Sequence, residues 1–80
     1  MHFTIVGRIT HAEVIATGGS VRIRRHLIRK FGAGQWRKMK GQATIRLEDG
    51  PLVRAELHWF EAHGVGRVYV KRKRNLDEPS

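Results

Sequence analysis

Apolar and polar residues alternate with a period of two through much of the second half of the chain. Ala43, Ile45 and Leu47 alternate with Thr44, Arg46 and Glu48, and Val53, Ala55, Leu57 and Trp59 alternate with Arg54, Glu56, His58 and Phe60. Such alternation sends successive side chains to opposite faces of a strand. Asp49-Gly50 between the two runs is a strong hairpin signal, and Pro51 fits the turn or the start of the returning strand. The connection Ala62-His63-Gly64-Val65-Gly66 then leads into a third strand, where Val68 and Val70 oppose Tyr69 and Lys71. A three-stranded antiparallel meander is expected, with Val53, Ala55, Leu57 and Trp59 toward the core.

In the first half, Phe3-Thr4-Ile5-Val6 and Ala12-Glu13-Val14-Ile15-Ala16-Thr17 are β-branched stretches that predict one or two strands, separated by Gly7, Arg8 and a polar turn. Gly18-Gly19 breaks that pattern. Ser20 then stands where an N-cap hydroxyl would accept from the first amides of a helix over 21–31, and Gly32 suits the position beyond its end. Helical spacing gathers Ile23, Leu27, Ile28 and Phe31 on one face and Arg22, Arg25, His26, Arg29 and Lys30 on the other. Arg24 is the exception, since its Cα direction lies inside the apolar arc; a stem lying along the edge of the core with its head in water is the expectation over a buried functional guanidinium. The order predicts an α+β domain over 1–75, with N-terminal strand(s) and one amphipathic basic helix packed on the meander. A C-terminal tail, 76–80, is expected to fray.

Eighty residues allow one domain. In so small a chain the ordering cost, roughly 1.5 kcal/mol per residue, nearly cancels burial, so pairing with a second copy would help. Trp59, Leu57, Ile45, Leu27 and Phe31 are the expected core. The absence of cysteine removes disulfides, thiolate chemistry and Cys-based zinc sites. No apolar run approaches the roughly 18 residues of a membrane span, and Met1–Thr10 is too polar for a signal-peptide core. A cytoplasmic protein with no membrane association and no cofactor is the expectation.

Charge changes the picture most. Sixteen Lys and Arg against seven Asp and Glu give a net +9, and residues 1–47 carry ten of those cations against Glu13 alone. Polyanions are the natural partners of such a surface. Arg22, Arg25, Arg29 and Lys30 on the helix, with Trp36, Arg37, Lys38 and Lys40 after it and Lys71, Arg72, Lys73 and Arg74 near the end, form the candidate nucleic-acid surface. The alternative is a solvated face that keeps the chain soluble, or one that meets an acidic protein. Trp36, Phe60 and Tyr69 offer rings on which unpaired bases can stack, and no helix-turn-helix or zinc-finger pattern is present, so RNA is favoured over duplex DNA.

The polar side of the meander is a second candidate. Glu56 and His58 lie two residues apart, with Arg54 beside them and Lys40 and Tyr69 on neighbouring segments. An RNA phosphodiester is cleaved by its own 2′-hydroxyl when one group takes that proton, another protonates the leaving oxygen, and cations steady the charge. These residues offer the parts of a metal-independent endoribonuclease, or equally a cross-strand ion-pair network. A metal site from His58, Glu61 and His63 is disfavoured, because strand alternation points His58 and Glu61 to opposite faces.

The segments Trp36-Arg37-Lys38-Met39-Lys40-Gly41 and Glu56-Leu57-His58-Trp59-Phe60-Glu61-Ala62-His63-Gly64-Val65-Gly66-Arg67 resemble a family of small bacterial proteins sharing a WRK-K-G and an HW-F/Y-EAHG-G pattern. That resemblance covers about residues 12–75, implies no particular reaction, and leaves residues 1–11 as an addition. More loosely, Lys38-Met39-Lys40-Gly41 before a sheet is similar to the Lys-Leu-Lys-Gly segment of the RelE/ParE toxin superfamily. RelE-type members cleave message on the ribosome and ParE-type members act on gyrase; the RelE-like side of this resemblance implies an endoribonuclease acting on ribosome-bound message and held by an acidic antitoxin. The chain departs from that superfamily in having one evident helix where two are usual, and in lacking a clear catalytic terminal motif.

Overall fold

The structure, a computed structural model, describes residues 2–76. Its strands are β1 (Phe3–Thr17), β2 (Arg37–Leu47), β3 (Leu52–Ala62) and β4 (Gly66–Asn75). They form one antiparallel sheet in the order β1-β2-β3-β4. The α+β class stands, but the meander has four strands instead of three, because the N-terminal segments join into one long strand that pairs with β2. Residues 3–11, which lay outside the family-like pattern, therefore belong to the sheet.

Alternation is kept most faithfully in the central hairpin. β2 and β3 pair in unbroken register, with Ile45 opposite Val53, Ala43 opposite Ala55 and Met39 opposite Trp59. The Asp49-Gly50 turn closes it, with the Gly50 N–H on the Leu47 carbonyl at 2.9 Å and the Leu47 N–H on the Pro51 carbonyl at 3.0 Å.

All register shifts fall on the two edge strands. The 15 residues of β1 lie against the 11 of β2, and the excess is taken up between Val6 and Thr10, Thr10 and Glu13, and Val14 and Ala16. Left-handed residues Gly7 (φ +80°) and His11 (φ +53°) sit at the first two shifts. β4 is irregular opposite Glu56–Leu57 and His58–Phe60. Bulges bend a strand and raise its twist. Phe3, Ile5 and Ile9 from one edge and Val70 from the other thus pack against a common core of Met39, Ala43, Ile45, Ala55, Leu57 and Trp59.

The helix α1 (Arg24–Phe31) lies in the β1–β2 connection, after a 3₁₀ turn at Gly18–Ser20. It is shorter than the expected 21–31, and Ser20 does not cap it; Ile23 occupies the N-cap without a side-chain hydrogen bond. Val21 is the reason: its side chain is buried and its N–H bonds to the Gly18 carbonyl at 3.0 Å, which closes the 3₁₀ turn and leaves Val21 extended. At the other end Gly32 (φ +111°) donates to the Ile28 carbonyl at 2.9 Å.

The helix does not cover the Val53–Trp59 set. Leu27 joins Val21, Trp36 and Ala62 in a second core, flanked by Ala16, Ile23, Ile28, Phe31, Phe60 and Val68. Lys38 is the register partner of both Ala16 and Phe60, and Phe60 pairs with Val68, so these four define a row on the face opposite Trp59. The sheet therefore carries a core on each side. One face, the core face, is closed by its own edge strands; the other, the helix face, is covered by α1 at one end only. Trp36, Trp59, Leu27, Ile45 and Leu57 are the largest fully buried side chains, and Phe31 is half-buried.

Lys71–Asn75 continue β4, and the N–H of Leu76, the first residue of the expected tail, bonds to the Arg54 carbonyl at 2.8 Å. The rest of that expected tail, 77–80, lies outside the described residues. Among the described residues no helix is long and apolar enough to cross a membrane.

Candidate nucleic-acid interface

Beyond the helix the helix face turns polar, row by row. Lys40 pairs with His58 and His58 with Lys71; in the next row Gln42 pairs with Glu56 and Glu56 with Arg74; beyond it Thr44 pairs with Arg54. Directly opposed side chains on one face lie about 5 Å apart at Cβ, so each row is a contact set. Lys38, in the row under the helix, holds its ammonium 5.9 Å from the Phe60 ring.

Arg22, Arg25, His26, Arg29 and Lys30 are exposed on and just before α1, as the helical spacing predicts. Arg24 is exposed too. Among the described residues none of these arginines has a carboxylate partner. The carboxylates on the helix face are already engaged: Glu13 with Lys40 at 3.1 Å, and Glu56 with Arg74 at 3.2 Å and His58 at 2.7 Å.

Glu56 and His58 form the best-defined polar pair. The His58 Nε2–H donates to Glu56 Oε2, and Arg74 donates through Nε and Nη2 to the other oxygen. The His58 hydrogen bond is the main cause that holds the Glu56 carboxyl below its ordinary pKa; partial burial opposes it and Arg74 adds to it. Glu56, Lys40, Gly41, Gln42 and Arg74 line an open cleft of about 280 Å³ with Glu13 and His11 from β1. His11 escaped the sequence reading because only the left-handed bulge residue of β1 brings it there, and nothing in its local pattern announces a bulge.

Other candidates move. Trp36 is a correction: it is 1% exposed, its indole N–H donates to the Gly32 carbonyl at 3.0 Å, and it cannot stack on a base. Arg37 lies on the core face, bonded to Glu61 at 2.7 Å, and Glu61 also accepts from the Trp59 indole at 2.7 Å. That carboxylate, anchored between two strands, explains structurally why a Glu follows Trp59-Phe60. Arg72, opposite Leu57, also faces the core side and donates to Asn75 at 3.1 Å. Arg54 lies in the outer polar row and donates to Thr44 Oγ1 at 3.1 Å. Lys71, Lys73 and Arg74 are exposed on β4, with Lys73 at a register shift.

Tyr69 does not join Glu56 and His58. β4 advances three residues where β3 advances two, and Tyr69 in this bulge is left-handed (φ +54°). Val68 consequently packs in the helix-side core and Val70 in the other, although alternation predicts one face for both. Tyr69 meets α1 instead: its hydroxyl lies 2.6 Å from His26 Nε2 and its ring stacks on the imidazole. His58, Glu61 and His63 do not converge, and among the described residues no group of three His, Asp or Glu side chains is arranged to hold a metal ion. Compared with family models, curated proteins and solved structures, the chain has no match, so geometry and charge carry the functional reading.

Proposed function

We propose that this protein binds RNA through its helix face, in the cytoplasm, with the cations of α1 and of Lys38, Lys40, Lys71 and Arg74 contacting phosphates. The observation that carries the reading is the gathering of most of the candidate cations on the helix face, with Arg37 and Arg72 left on the other side. The helix arginines lack carboxylate partners among the described residues, and they share a side of the sheet with the strand cations. The two carboxylates nearby, Glu13 and Glu56, are already paired. Phosphate contacts of this kind give affinity without sequence specificity and a steep salt dependence. The test is an anisotropy titration of a labelled RNA hairpin with a single-stranded flank at several salt concentrations. Replacing Arg25 and Arg29 together by Gln should weaken binding to every sequence and lower the log–log salt slope by roughly 1.5. An unchanged slope overturns the assignment; preference for an acidic protein at equal salt points to that class of partner instead.

The Glu56–His58 pair favours a second reading, a metal-independent endoribonuclease of the RelE kind acting on free or ribosome-bound message and restrained by an acidic antitoxin. With Nε2 committed to Glu56, His58 Nδ1 is the atom that takes the 2′-hydroxyl proton as the 2′ oxygen attacks phosphorus. The bond from phosphorus to the 5′ oxygen breaks, the Lys40 ammonium beside His58 gives that oxygen a proton, and a 2′,3′-cyclic phosphate remains. Lys71, on the other side of His58, balances the charge at phosphorus. Running the same mixtures, with ribosomes and message added, on a denaturing gel decides between the readings. Cleavage lost in His58→Ala selects the nuclease, and intact RNA selects the binding protein.

A further inference from the structure

We propose that the His26–Tyr69 stack is a platform for an unpaired nucleobase, a refinement that rests on the RNA-binding reading. Tyr69 sits in a left-handed conformation that is unfavourable for any residue with a side chain and that glycine would adopt freely. Non-glycine strain of this kind persists only where the surroundings over-determine it. Here they do. The hydroxyl is fixed at 2.6 Å from His26 Nε2, the two rings stack at 5.7 Å and 24°, and the Phe31 ring meets Tyr69 edge-on at 5.5 Å. Despite these contacts Tyr69 stays 40% exposed, and His26 is exposed beside it.

Cations flank this pair along the same side of the helix. On α1 the positions three and four residues from His26 toward the C-terminus are Arg29 and Lys30, which share its helical face, and Arg22 lies four residues before it in the adjoining segment. Lys30 already lies 5.8 Å from the centroids of both Tyr69 and Phe31. A flat, pinned aromatic surface bracketed by cations is how sequence-tolerant single-strand binders combine base stacking with backbone attraction. A paired base presents no free ring face, so this platform selects unpaired RNA over duplex. An acidic peptide satisfies the cations but leaves the rings unused.

The test measures affinity for two probes: a single-stranded RNA of about 12 nucleotides carrying one 2-aminopurine, and a duplex of the same length. Tyr69→Leu retains an apolar side chain against Phe31 and removes the π-face, and Tyr69→Phe retains the ring and removes the His26 bond. Urea unfolding of each variant verifies the fold. The expected result is a loss of roughly tenfold in single-strand affinity for Tyr69→Leu, with duplex affinity unchanged. The 2-aminopurine quenching seen with the wild type should vanish in Tyr69→Leu and persist in Tyr69→Phe. Equal losses on both probes, or none on either, overturn the platform while leaving the basic-surface reading intact if the Arg25/Arg29 variant still weakens both. Displacement of the single strand by poly-glutamate at equal charge concentration overturns the platform in favour of an acidic protein ligand. A wild-type chain that binds neither RNA overturns both proposals.

Discussion

Glu56 accepts from donors on two strands, His58 two residues along β3 and Arg74 across on β4, and this fixes the sign of its contribution to stability. Its pKa is lowered from 4.5 in the folded chain, chiefly by the His58 hydrogen bond. A group whose folded pKa is depressed stabilises the fold above the unfolded pKa and loses that contribution as pH falls through the folded value. Stability from Glu56 is therefore complete above pH 4.5 and is withdrawn below it. Glu56→Gln keeps the shape and removes the titration. The gap in unfolding free energy between wild type and this variant, followed by urea titration from about pH 6 to about pH 3, should narrow only below that point. A gap that does not change across this range refutes the role.

At the scale of elements, the meeting of β1 with β2 and β3 depends on one missing side chain. A Cβ on Gly41 would stand 2.7 Å from Ile9 Cγ2, 2.9 Å from Trp59 Cη2 and 3.2 Å from the Thr10 carbonyl oxygen. The last is backbone and Trp59 is buried, so the contact cannot be relieved by a flexible chain end. Gly41→Ala should lower the unfolding free energy by about 2 kcal/mol, as overpacking does in other cores, and a urea midpoint equal to wild type refutes the tight crossing. The same elements show what the sequence makes legible. The β2–β3 hairpin, the apolar face of α1, and four of the five expected core residues follow from periodicity and a single turn dipeptide. The bulges do not, because a register shift leaves composition and local spacing untouched while it changes which face every later residue occupies. Hence Val68 and Val70 part company, Tyr69 leaves the acid/base group for His26, and His11 arrives in the cleft. Trp36 deceives for another reason: the run of cations that follows it, Arg37, Lys38 and Lys40, suggests an exposed ring, yet its place after α1 puts it under the helix.

For the molecule as a whole, the core face is closed where the two edge strands converge. β1 and β4 share no ladder, yet Phe3 from one and Val70 from the other pack on the same core and line a common groove of about 470 Å³. Among the described residues no ladder joins that seam, so the two edges should open at lower free energy than the central hairpin, whose amides are flanked by strands on both sides. Native-state hydrogen exchange tests this. The slowest amides are expected within 41–45 and 53–59, with those of 3–6 and 70–74 faster by at least about tenfold. Uniform protection across both edges would mean that they are paired. If that protection fades on dilution the partner is a second copy of the chain, and if it does not the strands close on each other. Adding RNA separates this seam from the proposed interface: binding through the helix face should slow exchange at 22–30 and around Tyr69 while leaving 3–6 unchanged. Slowing confined to 3–6 and 70–74 would instead locate the ligand at the groove between the edges, away from the cations of α1.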